Sequence, residues 1–154
     1  MIVVAVDPGK VTGLALFLYS GAGDPVLLSS GEYEVWPYVD ALEDMLRTAR
    51  AHNEVPEVVC ERFIINAQTI KNSQAPFSIE QIGILKLVVR STGLDPEKIV
   101  LQSPSDAKKM FPNDALRKLG YWTSGTAGHD KDAMRHGLLR LVKRGWVPRR
   151  LLER

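Results

Sequence analysis

The sequence predicts an α/β domain with a mixed five-stranded sheet, an antiparallel meander followed by parallel strands, flanked by helices. Three observations carry this. Short β-branched runs separated by turn residues fill the first 35 positions. Apolar residues at helical spacing then alternate with further strand-like runs. At 154 residues, 45% hydrophobic and 25% charged, the composition suits one packed core.

The elements follow in order. Residues 2–7 (IVVAVD) form a buried strand that Pro8-Gly9 ends, and residues 12–19 and 26–35 form two more, with GAGDP as the hairpin between them. Residues 37–52 place Val39, Leu42, Met45, Leu46 and Ala49 on one helix face, with Pro37 near its start. Residues 57–65 (EVVCERFII) are the fourth strand. A polar stretch, 66–75, precedes a helix over 78–92 with Ile79, Ile82, Leu85 and Val89 inward. Residues 98–102 are the fifth strand, and short helices occupy 105–110 and 114–119. After a Gly/Ser/Thr-rich loop at 120–128, the last long helix spans 129–144, with Leu138, Leu139, Leu141 and Val142 inward. The expectation is a single domain over 1–154 ending in a short basic tail, WVPRRLLER.

Composition excludes several classes. No run approaches the roughly 20 apolar residues needed to span a bilayer, so no membrane association is expected. The opening MIVVAVDPGK reads as a core strand, not a signal peptide, so a cytoplasmic protein is expected. Cys60 is the only cysteine, so neither a disulfide nor a cysteine-rich zinc site can form. It lies in an apolar run and reads as a buried, inert thiol. The net charge of +2 divides unevenly: residues 1–100 carry −5 and residues 101–154 carry +7. A basic half points to a polyanionic partner.

Some carboxylates sit where carboxylates are costly. Asp7 closes an apolar strand, although Asp-Pro-Gly is also ordinary turn chemistry. Glu61 lies within VVCERF, on the strand face of Val59 and Phe63 with Arg62 opposite, and needs a salt-bridge partner or a metal. At the start of the last helix, His129, Asp132 and His136 share one face. The helix dipole also explains acidic residues there, and His136 reads first as packing or solvated surface. Asp130 lies about 200° around the axis from Asp132 and faces elsewhere. A parallel strand beside the first brings Asp7 and Glu61 together, and a helix N-terminus over that edge delivers Asp132. Clustered carboxylates repel, and divalent cations relieve the repulsion. Two Mg²⁺ ions about 3.5–4 Å apart can activate water and stabilise the leaving oxygen of a phosphodiester.

The segments VAVDPGKVTGLALF, VVCERF, LQSPSDAKK and HDKDAMRHGL, in that order over nearly the whole chain, resemble the RuvC family of Holliday-junction resolvases, particularly its compact phage-type members. The resemblance implies an RNase H-like fold and metal-dependent endonuclease action on branched DNA in recombination, repair or replication. Four-way junctions come first as substrates, then forks and flaps. By position it makes Asp7, Glu61, His129 and Asp132 the ligands of two Mg²⁺ ions, with Mn²⁺ able to substitute. Asp130 remains open as a neighbour of His129. It puts Lys108 on the scissile phosphate, completing the catalytic set. Residues 66–75 correspond to the segment that approaches the junction, so Asn66, Gln68, Lys71 and Asn72 join Lys108, Lys109, Arg117 and Lys118 as DNA-contact candidates. Ile64 stands where relatives often carry a base-stacking aromatic, and Phe63 is one place off. A homodimer is implied, because paired nicking needs two active sites.

Three alternatives stand beside this reading. The same site would suit flaps, forks or RNA–DNA hybrids. A non-catalytic junction-binding relative is opposed by the intact Asp7, Glu61 and Asp132. An actin-type sugar- or ATP-binding domain would need a second Gly-rich phosphate loop and a far longer chain.

Overall fold

In the computed structural model, which describes residues 1–64 and 75–153, the strand Ile2–Asp7 (β1) sits mid-sheet and is buried along its whole length. Thr12–Leu18 (β2) pairs with it antiparallel, Asp7 facing Gly13, and Val26–Tyr33 (β3) pairs antiparallel with β2. On the other side Glu57–Glu61 (β4) runs parallel to β1, and Val100–Gln102 (β5) parallel to β4. The spatial order is β3-β2-β1-β4-β5, the mixed sheet expected from the sequence.

Alternation along β1 divides the core in two. Ile2, Val4 and Val6 face the helices Val35–Ala51 (α1) and Ala75–Ser91 (α2). Val3 and Ala5 face the other layer, built from Pro104–Met110 (α3), Asn113–Leu119 (α4) and His129–Lys143 (α5). Each fully buried Val, Leu or Ile in these layers contributes about 1.5–3 kcal/mol. α5 crosses β1, β2 and β4, and Gly137 makes this possible: a Cβ there would lie 2.8 Å from the Phe17 ring. A short helix, Arg149–Leu152 (α6), ends the described chain, and the preceding Trp146 is buried and stacked on Phe111.

Several boundaries differ from expectation. β4 ends at Glu61, so Phe63 lies beyond the strand as a half-buried residue. β5 is shorter than 98–102, because Pro96–Lys98 form a 3₁₀ turn whose N-cap Asp95 accepts from the Glu97 amide. α1 starts at Val35, which puts Pro37 in the first turn, where its missing N–H costs nothing. Its buried face includes Tyr38, while Val39 is only partly covered. On α2 the inward face runs through Ser78, Gln81, Leu85, Val88 and Val89, and Ile79 is 48% exposed. Ser78 Oγ donates to the Pro8 carbonyl, turning the adjacent Ile79 outward.

Candidate active site

Asp7 is the last residue of β1 and Glu61 the last of β4. The pairing Val6↔Cys60 places them side by side at the carboxyl ends of parallel strands. Asp7 lies on the face of Val3 and Ala5, and Glu61 on that of Val59, so both project toward α5. The N-terminus of α5 reaches this edge because β2 has a glycine there: a Cβ on Gly13 would overlap the carbonyl of His129.

A carboxylate from β3 anchors the same helix end. Glu32 accepts from the backbone N–H groups of Ala127 (2.9 Å), Gly128 (2.6 Å) and His129 (2.6 Å). Burial raises its pKa, but the three N–H donors outweigh burial and hold it below the usual carboxylate range. Positively charged by its dipole, the end of α5 is thus neutralised from outside its own sequence. Asp130, 1% exposed, anchors the preceding loop by accepting from Thr123 Oγ1 (2.5 Å) and Thr126 Oγ1 (2.8 Å). It points away from Asp7 and Glu61, as its helical phase requires.

The remaining residues of α5 meet the carboxylates directly. His129 Nδ1 lies 2.9 Å from Asp7 Oδ2. Asp132 binds Lys108 Nζ at 3.0 Å through Oδ2 and Arg135 through Oδ1. Arg135 also holds the Phe111 carbonyl at 2.8 Å and the side chain of Asn113, tying α5 to α3 and α4. Among the described residues, no three His, Cys, Asp or Glu side chains already converge as a ligand cage. The carboxylates are instead paired with these cationic and imidazole partners.

The charges of the site act on one another. Burial pushes the Asp7 carboxyl up, the charges of Glu61 and Asp132 add to this, and the His129 hydrogen bond only partly opposes it. The bond to Asp7 in turn raises the pKa of His129, against the opposing effect of burial. Lys108 is pulled down by burial, but Asp132, Glu61 and Asp7 outweigh it and leave it raised. Cys60 is buried and its thiol pushed up mainly by burial, as an inert core residue would be.

Asp7 meets His129, Asp132 meets Lys108, and Glu61 ends the strand beside Asp7, so the five lie at one sheet edge as two bonded pairs and a neighbour. Of the two readings of His136, packing and solvated surface, the structure has packing: it is 1% exposed and bonded to Glu61 Oε2 at 2.9 Å. Its place seven residues after His129, on the same face, was the available signal. Glu32, Gln102 and Arg135 were missed, and for Glu32 no local pattern marks a partner 97 residues away.

The DNA-contact candidates divide. Beside Asp132 and His129 opens a cleft of about 830 Å³, lined by Lys108, Asn113, Arg117, Trp122 and Lys131 among others. The Arg117 guanidinium lies 4.0 Å over the Trp122 ring and pairs with Asp114 at 2.8 Å. Lys109 is exposed on α3, whereas Lys118 bonds the Glu153 carbonyl outside the cleft. Asn66, Gln68, Lys71 and Asn72 lie outside the described residues.

No family model and no curated protein matches the chain. Among solved structures it is similar to RuvC of Thermus thermophilus, with a TM-score of 0.68 at 18% identity over 94% of this chain and 97% of that one. The same protein in complex with Holliday junction substrate gives 0.66 at the same identity and coverage. A Fowlpox virus resolvase complexed with its substrate Holliday junction DNA gives 0.55 at 15% identity, over 95% of this chain and 100% of that one. At these identities the likeness is one of fold, and the fold is RuvC-like.

Proposed function

We propose that this RuvC-like chain is a metal-dependent endonuclease that hydrolyses phosphodiester bonds in branched DNA, with four-way junctions as the preferred substrate. One observation carries the reading. Asp7, Glu61 and Asp132, from two strands and a helix, are gathered at one sheet edge, and their mutual repulsion helps raise the pKa of a buried Asp7. Such an arrangement costs stability unless a cation or a proton relieves it.

The donor set fits Mg²⁺, which prefers hard oxygen ligands. Asp7, Glu61, His129 and Asp132 would hold two such ions, with Mn²⁺ able to replace Mg²⁺. When bound, the ions supply charge that activates water and offsets the charge developing on the phosphate. The protein's own residues do the rest. Lys108, held by Asp132, presents its ammonium to a phosphate oxygen. His129, with Nδ1 on Asp7, keeps Nε2 as the ring atom that would ligate a cation. The +7 balance of residues 101–154 supports recognition of a polyanion through its backbone. A two-fold dimer would supply the paired sites that symmetric nicking needs.

The test is Mg²⁺-dependent cleavage of matched four-way, forked, flapped and linear duplex DNA and an RNA–DNA hybrid, by the wild type and by Glu61→Gln. The expected result is preferential cutting of the four-way junction, with Glu61→Gln binding it but leaving it whole. Preferential cutting of flaps, forks or hybrids would replace the substrate assignment. Binding without cleavage by the wild type in both Mg²⁺ and Mn²⁺ would overturn the enzymatic reading.

A further inference from the structure

We infer that His136, backed by Gln102, is a positioning residue for Glu61, and that the three side chains form a buried chain which fixes the carboxylate oxygen presented to the cations. The inference rests on the functional reading above and deepens it.

Two observations outside the carboxylate cluster carry it. His136 and Gln102 are both buried, at 1% and 3% exposure. His136 Nε2 lies 2.9 Å from Glu61 Oε2, and its Nδ1 lies 2.9 Å from Gln102 Oε1. Gln102 is the register partner of Glu61 on β5, and its carbonyl accepts from the Arg62 amide at 2.7 Å. β4, β5 and α5 thus meet at one level, and the imidazole bridges the gap between two neighbouring strand ends.

Burying a polar ring and a polar amide is costly unless they are bonded. A neighbouring Leu would fill the same space at lower cost, as Leu138 and Leu139 do one turn further along. What the imidazole adds is direction. Glu61 can only accept when ionised, so Nε2 carries the hydrogen and donates to Oε2. This commits one oxygen of the carboxylate and leaves Oε1 for a cation.

The amide of Gln102 then fixes the ring from behind. It can meet Nδ1 with either end, since a half-turn about its last torsion exchanges Oε1 and Nε2 in place. With Nε2 toward the ring, the amide donates to a bare Nδ1. Hydrogen bonds behind a ligating carboxylate or imidazole hold it in its coordinating orientation, and their loss costs about 10–100-fold in metal affinity.

The experiment measures Mn²⁺ binding by isothermal titration calorimetry to the full chain without DNA, alongside thermal melting and junction cleavage. The proteins are wild type, His136→Leu, His136→Gln, Gln102→Leu and His52→Gln, the last an exposed histidine at the end of α1. His136→Leu is expected to bind Mn²⁺ about 10–100-fold more weakly, and to melt below the wild type because the buried Gln102 amide loses its partner. Its kcat should fall while KM for the junction holds. His136→Gln, whose amide can still donate to Glu61, should recover most of the affinity. Gln102→Leu should fall between them, and His52→Gln should match the wild type. Mn²⁺ affinity in His136→Leu within about twofold of wild type would overturn the inference, because loss of such a bond costs more. Equal losses in His136→Leu and His136→Gln would also overturn it, since ring shape would then matter and not the donor. A wild type that neither binds Mn²⁺ nor cuts DNA would fail before any substitution, bringing down the functional reading and this inference with it.

Discussion

His129 Nδ1 sits 2.9 Å from Asp7 Oδ2, joining the first residue of α5 to the last of β1. The two groups are hydrogen-bonded, and the pKa of each is raised, that of Asp7 mainly by burial and that of His129 mainly by this bond. A raised folded-state pKa means that the folded chain binds the proton more tightly than the unfolded chain does. For both groups the stabilising contribution is therefore complete at low pH and is lost as pH rises through the folded-state titration. Without metal, the melting temperature should fall across that window. Asp7→Asn should melt above the wild type at neutral pH in EDTA, with the difference disappearing at acid pH, and should not cleave. A lower melting point for Asp7→Asn at neutral pH would contradict the assignment. Cleavage should rise with pH as the pair gives up its proton, and His129→Asp should retain more activity than His129→Ala.

Asp130 and Asp132 are two residues apart yet serve different ends. Asp132→Asn should be inactive, because it faces Lys108 and the site. Asp130→Asn should still cleave but be less stable by about 1–3 kcal/mol, since it weakens the buried bonds to Thr123 and Thr126. Chemical denaturation and one cleavage assay on both variants decide the matter. An inactive Asp130→Asn that is as stable as wild type would show that the helix phase is misassigned.

Glu32 holds three amides at the start of α5, that of His129 among them. Glu32→Ala should cost at least the 0.5–2 kcal/mol or so typical of a lost N-cap. It should also slow cleavage, by loosening His129 over Asp7. Glu32→Gln, which keeps one acceptor oxygen, should lose less of both. Unchanged melting in Glu32→Ala would refute the capping role.

Lys108 is half-exposed, and its ammonium is turned onto Asp132. Lys108→Ala should reduce cleavage on the order of a hundredfold, with a smaller loss of junction affinity. Lys98→Ala, an exposed lysine beside β5 and away from the cleft, should behave as wild type. Equal behaviour of the two variants would remove Lys108 from the site.

Much of this molecule is local and therefore legible in order along the chain. Alternating burial along β1, the face of α1 through Leu42, Met45 and Ala49, and the phase of Asp132 against Asp130 all follow from side-chain periods of 2 and 3.6 residues. The sheet order and its change from antiparallel to parallel also agree with the sequence pattern. The ends of elements were less legible, because Ile64 and Ile65 extend the apolar run past Glu61 although strand pairing stops there. Ile79 failed for a related reason: helical spacing defines a stripe, but the bond from Ser78 to the Pro8 carbonyl decides which stripe turns inward.

By itself the sequence determined the α/β class, a carboxylate closing one strand, one within another and one at a helix start, and the face on which His129 and Asp132 lie. Only the tertiary structure decided the partners of those groups. His129 meets Asp7, His136 and Gln102 meet Glu61, and Glu32 caps α5. Each of these contacts depends on how closely α5 lies across the sheet. That approach is set by what is missing at Gly13 and Gly137, where a Cβ would collide with His129 and Phe17. Periodicity tells which way a side chain points along its own element. The distance between elements is fixed by packing, and at hydrogen-bond range that distance decides which polar groups meet.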